Sequence, residues 1–205
     1  MIYADTVTEI RTTATPGARG TCPGCDSEVI AKCGSTVTWH WAHADREDCD
    51  TWAERDSAWH RAWQDVAPPW RREVIMGDHR ADLVTHNGRV IELQHSALSA
   101  DIIRARERHY GPMIWIFDAL DAYESGRLEI RSKPGREYVT FRWKHPRKTV
   151  AACRRTVLLD LDGRTLLRVG RMHPDTPCGG WGHLLTVDVV RSWITGTTHP
   201  EEVAA

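Results

Sequence analysis

A tight-turn signal between two short apolar strands, followed at once by a helix and a buried strand, constrains the fold of this chain more than any other feature. Strand-like runs at 80–86 and 89–96 flank an Asn-Gly dipeptide, which is typical of a β-hairpin. A helical pattern follows over 99–110, and the uniformly apolar run 113–117 suits a strand that is buried on both faces. This order predicts a mixed sheet with a helix crossing one face.

The flanking segments extend this α/β (mixed α+β) organisation in both directions. Residues 72–76 predict another strand, and three tryptophans at helical spacing predict an amphipathic helix over 51–66. The segment 128–169 alternates and turns at Pro-Gly and Asp-Gly pairs, which favours antiparallel hairpins. We therefore expect three parts: a small lobe at 1–50, a core at 51–120, and a basic antiparallel β extension at 121–205 that packs on the core.

The composition excludes several classes of protein. The 205 residues are 41% hydrophobic and 27% charged, as in an ordinary soluble globule. No apolar run approaches the roughly 20 residues that a membrane helix requires, and no charged-then-apolar leader opens the chain. We therefore expect a cytoplasmic protein without a membrane partner.

Six cysteines are too few for a disulfide scaffold in a chain of this length, and their spacing points towards metal ligation. Cys22 and Cys25 form a C-x2-C pair, and His40 and His43 follow after 14 intervening residues. Two thiolates and two imidazoles can complete the tetrahedron that Zn²⁺ prefers, so the pattern predicts a structural zinc site. Two further cysteines lie close enough in sequence to replace one of the histidines, namely Cys33 and Cys49.

The hairpin carries two carboxylates, and the length of its turn decides whether they meet. A two-residue turn would place Asp82 across from Leu93, so that Asp82 and Glu92 would point to opposite faces of the sheet. A three-residue turn with Gly88 in the left-handed conformation would place Asp82 directly opposite Glu92. The second register also gathers the apolar side chains on the other face, and we therefore predict it.

Two adjacent carboxylates repel each other unless a cation or a proton lies between them, so this register predicts a divalent metal site near the centre of the sheet. Gln94 shares a face with Glu92 and could orient a water molecule. An Asp and a Glu on adjacent strands are the donors that a two-carboxylate phosphodiesterase requires. A solvent-facing hairpin with ordinary charges is the alternative interpretation.

Positive charge is concentrated in one segment. Residues 127–155 contain ten basic and two acidic side chains, whereas the whole chain has a net charge of −1. Such a block could follow a phosphate backbone, or it could be a solvated strand face. The candidate nucleic-acid contacts within it are Arg142, Lys144, Arg147 and Lys148.

Several motifs occur in the order in which CoiA-like competence proteins carry them, and the chain resembles that family over roughly residues 20–120. The family is similar to the PD-(D/E)XK, or restriction-endonuclease-like, nucleases. Each motif alone is weak, but the ordered set is specific. The motifs are Cys22-Pro-x-Cys25, His40-x-Ala-His43, Glu54…Ser57…His60, Arg80-Ala-Asp82, Glu92-x-Gln94-x-Ser96, Arg106…Tyr110 and Ile114-Trp-Ile116.

The resemblance implies a fold and a metal site. The fold would be a restriction-endonuclease-like core, with a central mixed sheet flanked by helices, behind a zinc-ribbon-like N-terminal lobe. Catalytic Mg²⁺ or Mn²⁺ would bind Asp82, Glu92 and the Leu93 carbonyl, and structural Zn²⁺ would bind the Cys/His array. Gln94 stands where Lys is usual in the superfamily, which leaves the identity of the water-activating group open.

The resemblance also implies roles for residues around this metal. Glu54 and His60 on the first helix are expected to be catalytic, with His60 as a base or a phosphate contact. Arg106 and Tyr110 could also be a simple i,i+4 helix pair. The expected DNA contacts are Ser57, Arg80, Ser96, Arg106 and Tyr110.

The sequence supports three hypotheses about function. The first is a metal-dependent DNA nuclease in DNA uptake, recombination or processing, with DNA and recombination proteins as partners. The second is a catalytically silent DNA-binding or recombination accessory protein that keeps the nuclease fold. In the third, the zinc lobe is a module that docks another protein.

Overall fold

The structure is a computed structural model, and it describes residues 1–45, 49–52, 57–132, 134–144, 146, 148–173 and 179–197. An N-terminal lobe contains five short strands: β1 (Tyr3–Ala4), β2 (Thr12–Thr13), β3 (Arg19–Thr21), β4 (Glu28–Lys32) and β5 (His40–His43). β1 pairs with β2, and β3, β4 and β5 form an antiparallel sheet. Val29 and Trp41 lie in a small core of this lobe, where the Trp41 indole donates to the Thr12 carbonyl at 3.0 Å.

A nine-stranded mixed sheet forms most of the remaining structure. Its strands are β6 (Arg72–Met76), β7 (His79–Val84), β8 (Val90–Gln94), β9 (Met113–Asp118), β10 (Leu128–Ser132), β11 (Val139–Trp143), β12 (Thr156–Asp160), β13 (Thr165–Met172) and β14 (Gly179–Thr186). Their order is β10-β11-β14-β13-β12-β9-β8-β7-β6. β9 pairs in parallel with β8 and with β12, and the other pairs are antiparallel.

Short helices pack against this sheet. They are α1 (Ala58–Gln64), α2 (Ala100–Tyr110), α3 (Leu120–Glu124), α4 (Lys148–Ala152) and α5 (Val187–Thr195), with a 3-10 helix at Pro69–Arg71. Among the described residues, no helix combines the length and the apolar character that crossing a membrane requires. α2 has 11 residues, about half of what a membrane span needs.

Alternation along β9 separates two hydrophobic cores. Trp115 belongs to a cluster that includes Ile103 of α2. The next residue, Ile116, belongs to a cluster that includes Trp63 of α1 and also residues of α5. β9 is therefore buried on both faces, as its uniformly apolar sequence predicts.

The mixed sheet is confirmed together with most of its elements. The strand predicted at 72–76 is β6, the run 113–117 lies within β9, and the helix predicted at 99–110 is α2 with Ser99 as its N-cap. The Pro-Gly pair lies between β10 and β11, and the Asp-Gly pair lies between β12 and β13. The parallel β8–β9 pair spans α2, as a crossover helix requires.

Two expectations about position are wrong. The sequence pattern predicts a helix from residue 51, but Thr51 and Trp52 form a turn and α1 begins at Ala58. Trp52 packs against a different core from Trp63, so its helical spacing is coincidental. The hairpin also lies away from the sheet centre, because β10 to β14 extend the sheet on one side and leave β7 next to the edge strand β6.

The strands of the expected extension continue the sheet of the expected core. β12 pairs with β9 from Thr156↔Ile114 to Asp160↔Asp118. Asp160 also accepts hydrogen bonds from the indoles of Trp59 and Trp63 on α1, at 2.8 and 2.9 Å. These contacts fix α1 to the end of β12, where Trp63 packs in the cluster that contains Leu93 and Ile116.

Candidate metal centre and carboxylate site

Four side chains of the N-terminal lobe converge on one point. The Sγ atoms of Cys22, Cys25 and Cys49 and a ring nitrogen of His43 all lie within 4.8 Å of one another. Cys22 Sγ and Cys49 Sγ are 3.7 Å apart, too far for a disulfide. Two Zn–S bonds of about 2.3 Å would span roughly 3.8 Å in a tetrahedron. The donor atoms and their spacing therefore fit a structural zinc ion.

His40 is not part of this cluster. Cys49 provides the fourth ligand, which the sequence spacing assigns to His40. Successive side chains of β5 point to opposite faces, so His40 and His43, three positions apart, cannot face the same ion. His40 Nδ1 lies 2.9 Å from the Thr38 carbonyl oxygen instead. Of the two alternatives that the sequence leaves open, Cys49 is the one in the cluster, and Cys33 is outside it.

The cluster contains thiols of very different acidity. Burial and the neighbouring thiols of Cys25 and Cys22 raise the pKa of Cys49 to about 12. Burial also opposes ionisation of Cys25, but hydrogen bonds from Ser27 and His43 outweigh it and lower the pKa of Cys25 to about 6. Cys49 therefore needs a nearby cation to lose its proton, and a zinc ion is such a cation.

The β7–β8 hairpin has the three-residue turn that the sequence analysis predicts. Gly88 has a φ of +80°, and its N–H donates to the Thr85 carbonyl at 3.0 Å. Leu83 pairs with Ile91, which is the register that aligns the two carboxylates. The predicted register is therefore confirmed.

Hydrogen bonds from backbone N–H groups connect the strand segments that carry Asp82 and Glu92. Asp82 Oδ2 accepts a hydrogen bond from the Leu93 N–H at 2.8 Å, and the Asp82 N–H donates to Glu92 Oε1 at 3.4 Å. Glu92 is 2% exposed, whereas the side chain of Asp82 is 20% exposed. The two carboxylates thus form one largely buried site with an opening at Asp82.

Each carboxylate faces a basic side chain from a helix. Glu92 Oε2 lies 2.5 Å from Nη1 of Arg106 on α2, and Asp82 Oδ1 lies 3.1 Å from Nε2 of His60 on α1. His60 is buried, so it is not an exposed base. Because Arg106 already offsets the charge of Glu92, repulsion between the carboxylates does not by itself require a divalent metal, in contrast to the expectation from the sequence.

Burial and charge separate the acidities of the two carboxyls. Burial raises the pKa of Glu92 to about 8, the charge of Asp82 adds to this rise, and Arg106 opposes it. Burial also opposes ionisation of Asp82, but His60, the Leu93 N–H and Arg106 outweigh it and hold the pKa of Asp82 below its usual value. Asp82 is thus the ionised member of the pair, and Glu92 is the member that can hold a proton.

The segment that follows Cys49 contacts β7. Asp50 accepts a hydrogen bond from the backbone N–H of Arg80 at 2.9 Å, and Asp50 Oδ1 lies 2.9 Å from His79 Nδ1. Burial opposes ionisation of Asp50, but these contacts and the Trp52 N–H lower its pKa. The cysteine cluster is therefore connected to the strand that carries Asp82.

The same segment reaches Arg106. The Trp52 carbonyl accepts a hydrogen bond from Arg106 Nη2 at 2.7 Å, and the Trp52 ring stacks on His79 with centroids 3.2 Å apart. Arg106 thus binds Glu92 and residue 52 at once. Sequence reasoning missed the roles of Asp50 and Trp52, although their position directly after a candidate metal ligand was a usable signal.

Other predicted residues near the carboxylates make structural contacts. Ser57 is the N-cap of α1, and its Oγ accepts from the His60 N–H at 3.1 Å. Gln94 is fully buried, and its Nε2 donates to the Ser96 carbonyl at 2.8 Å. Ser57 thereby sets the start of the helix that presents His60, and Gln94 fixes the chain just beyond β8.

Arg80 and Tyr110 lie close enough to the carboxylates to interact with them electrostatically. Arg80 Nε lies 3.6 Å from Oε1 of the buried Glu73. Tyr110 is 8% exposed, and its ring packs edge-on against Trp52 with centroids 5.9 Å apart.

The basic residues predicted to contact DNA lie on the C-terminal strands. Arg142 is exposed on β11, and Lys144 Nζ lies 3.6 Å from Glu129. Glu54 and Arg147 lie outside the described residues, and Lys148 is described by its backbone alone, at the start of α4.

The donors at the carboxylate site suit a hard divalent cation. Asp82 and Glu92 offer carboxylate oxygens and Leu93 offers a carbonyl oxygen, the ligands that Mg²⁺ prefers. Within the described ranges, only the Cys/His cluster brings three or more ligating side chains together. A cation bound to Glu92 Oε2 would have to replace the guanidinium of Arg106.

The fold and the cluster define the N-terminal lobe as a small β-domain with a Cys3His centre suited to a structural metal such as zinc. Residues 11–51 match the family model of the N-terminal domain of competence protein CoiA. All four clustered residues lie within this match, so the resemblance to CoiA-like proteins is confirmed for the lobe. No curated protein and no solved structure matched the chain.

Proposed function

We propose that this protein is a metal-dependent DNA nuclease that hydrolyses phosphodiester bonds at the carboxylate site. The observation that carries the proposal is the buried pair of Asp82 and Glu92, which two adjacent strands of a mixed sheet bring together. A restriction-endonuclease-like core would account for this pair and for the helix that follows it. A competence-protein domain at the N-terminus is consistent with a role in DNA processing.

The residues of the site would have distinct roles. Asp82, Glu92 and the Leu93 carbonyl would hold Mg²⁺ or Mn²⁺, which supplies Lewis-acid activation of a phosphate and of a water molecule when bound. His60 is a positioning residue, because its contact with Asp82 Oδ1 fixes one side of that carboxylate. The Leu93 N–H fixes the other oxygen.

Cleavage of end-labelled single-stranded and duplex DNA in the presence of Mg²⁺ or Mn²⁺ tests the proposal. Glu92→Gln keeps the size of the side chain and removes its charge. It should slow cleavage by at least about 100-fold, since even residues that only support metal ligands cost 10- to 100-fold when replaced. Glu124→Gln, at the exposed end of α3, is the matched control and should cut like the wild-type chain. Equal cutting by the two variants would contradict the proposal.

The ion pair at Glu92 favours a second candidate, a catalytically silent DNA-binding or recombination accessory protein. A guanidinium 2.5 Å from Glu92 Oε2 already balances the charge of this carboxylate, so the site is charge-compensated by the chain's own residues. Under this alternative, the wild-type chain binds DNA without metal-dependent cleavage, and Glu92→Gln binds DNA equally well. Binding and cleavage measured on the same labelled DNA therefore separate the two candidates.

A further inference from the structure

Four strands at the far side of the large sheet align a row of side chains. Arg131 of β10 pairs with Thr140 of β11, which pairs with Trp181 of β14. Trp181 in turn pairs with Arg171 of β13. Directly opposed residues of antiparallel strands point to the same face. Since neighbouring strands lie about 4.8 Å apart, the row spans about 14 Å.

A bulge in β13 adds a second arginine to this face. Arg168 pairs with His183 and Arg171 pairs with Trp181, so three positions along β13 match two positions along β14. The extra residue turns Arg171 to the side that Arg168 already faces. Gly170 lies at the bulge, and a Cβ there would clash with three ring atoms of Trp181. The glycine therefore gives the indole room to lie against the sheet.

The face carries an excess of positive charge. Arg142, opposite Gly179, also points to this side. Arg142, Arg168 and Arg171 are exposed and form no ion pair with any residue in the described part of the chain. Glu129 offsets part of the charge through its contact with Arg131 at 2.8 Å. An exposed cluster of unpaired guanidinium groups is suited to phosphate groups.

An exposed aromatic ring lies among these arginines. Trp181 is 37% exposed, although it is one of the largest apolar side chains. Its ring centroid lies 6.0 Å from that of Tyr138 and 5.8 Å from that of His183, both in edge-on arrangements. A cavity of about 420 Å³ adjoins the ring, with Thr140 and His173 in its lining. This volume lies within the range of pockets that hold small ring systems.

We propose that this surface binds single-stranded DNA. We call it the aromatic face and define it by Arg131, Arg142, Arg168, Arg171, Trp181 and His183. Unpaired bases can stack on an exposed indole, whereas bases in a duplex are stacked on each other, so the ring favours single strands. The arginines around it hold the phosphates. The choice of DNA as the ligand rests on the proposed function, whereas the geometry of the face does not involve the carboxylate site.

Fluorescence anisotropy of a labelled oligo-thymidylate tests this proposal with the full chain in buffer without divalent cations, so that no metal-dependent cleavage occurs. Trp181→Ala should weaken binding roughly 5- to 100-fold, the range expected for the loss of one stacking ring. Trp181→Phe should retain most of the affinity because it keeps an aromatic face. Trp70→Ala is the matched control, since Trp70 is 69% exposed and lies in the 3-10 helix beside β6.

Two further variants separate the stacking from the charge. Gly170→Ala changes none of the residues that define the aromatic face but displaces the Trp181 indole, and it should weaken binding in the same direction as Trp181→Ala. Arg171→Gln should lower the slope of log affinity against log salt by about one, because it removes a single phosphate contact. Circular dichroism of each variant verifies that the chain is folded.

Equal affinities of folded Trp181→Ala and Trp70→Ala for the oligonucleotide would overturn the proposal. Tighter binding of a duplex of the same length, unaffected by Trp181→Ala, would also overturn it, and preferential binding of oligo-uridylate would overturn the choice of DNA. Binding is measured without divalent cations and therefore does not depend on cleavage at the carboxylate site, and Glu124→Gln, which lies outside both sites, should bind oligo-thymidylate like the wild-type chain. Failure of the nuclease proposal in the cleavage assay is therefore distinguishable from failure of this one.

Discussion

Arg106 Nη1 and Glu92 Oε2 lie 2.5 Å apart in a site where both side chains are almost completely buried. The same guanidinium donates through Nη2 to the Trp52 carbonyl. Arg106 therefore joins α2, β8 and the segment that begins at Cys49. A substitution of Arg106 should therefore lower the stability of the core and weaken the contact with the N-terminal lobe.

Arg106→Gln should destabilise the chain by about 3 kcal/mol or more at about pH 9, because it leaves a buried carboxylate without its cation. Urea unfolding followed by tryptophan fluorescence measures this loss. Arg104→Gln is the control, since Arg104 forms an exposed i,i+3 pair with Asp101, and exposed pairs contribute about 0–1 kcal/mol. Similar unfolding midpoints for the two variants would show that the buried pair contributes little.

Glu92→Gln should change the pH dependence of stability. The folded chain binds the Glu92 proton more tightly than the unfolded chain does, because burial raises the pKa from 4.5 to about 8. The stability that this proton contributes is therefore lost as the pH rises between these values. The free energy of unfolding of Glu92→Gln, relative to the wild-type chain, should increase over the same range in buffer without divalent cations. A constant difference across that range would rule out the raised pKa.

Cys49→Ser and His40→Ala should differ in zinc content. Cys49 lies in the Cys3His cluster, whereas His40 points to the other face of β5. Metal analysis of the purified chains should find one zinc ion in the His40 variant and clearly less in the Cys49 variant. The opposite result would restore the ligand set that the sequence spacing suggests.

Gly88→Ala should destabilise the hairpin by about 1 kcal/mol, because alanine tolerates a positive φ less well than glycine does. Gly34→Ala is the control, since Gly34 has no positive φ and open space around its Cα. Thermal unfolding compares the two variants. An equal melting temperature would mean that the turn relaxes to another conformation without cost.

The hairpin register was predictable from the sequence because the turn residues and the pattern of polar and apolar side chains favour the same register. Gly88 allows the three-residue turn, and only that turn separates polar Asp82 and Glu92 from apolar Leu83 and Ile91. The helix after the hairpin was predictable for a similar reason, since Ser99 caps it and its apolar spacing is regular.

The ligand set and the charge compensation were not predictable in the same way. The H-x2-H spacing suggests two ligands, but its strand conformation was not evident from the pattern, and a strand excludes one of them. In the sequence, Arg106 lies 14 positions from Glu92 and 54 positions from Trp52. Such contacts depend on how α2 and the segment after Cys49 pack, which short-range patterns do not encode.

The place of β14 in the sheet has a consequence for how the chain matures during synthesis. β14 follows β10 to β13 in the chain, yet it lies between β11 and β13. The hairpin of β10 and β11 therefore gains this neighbour only after residues 179–186 have emerged. The strands that carry the carboxylates can pair before that point, whereas the aromatic face is complete only after β14 has paired with β11 and β13.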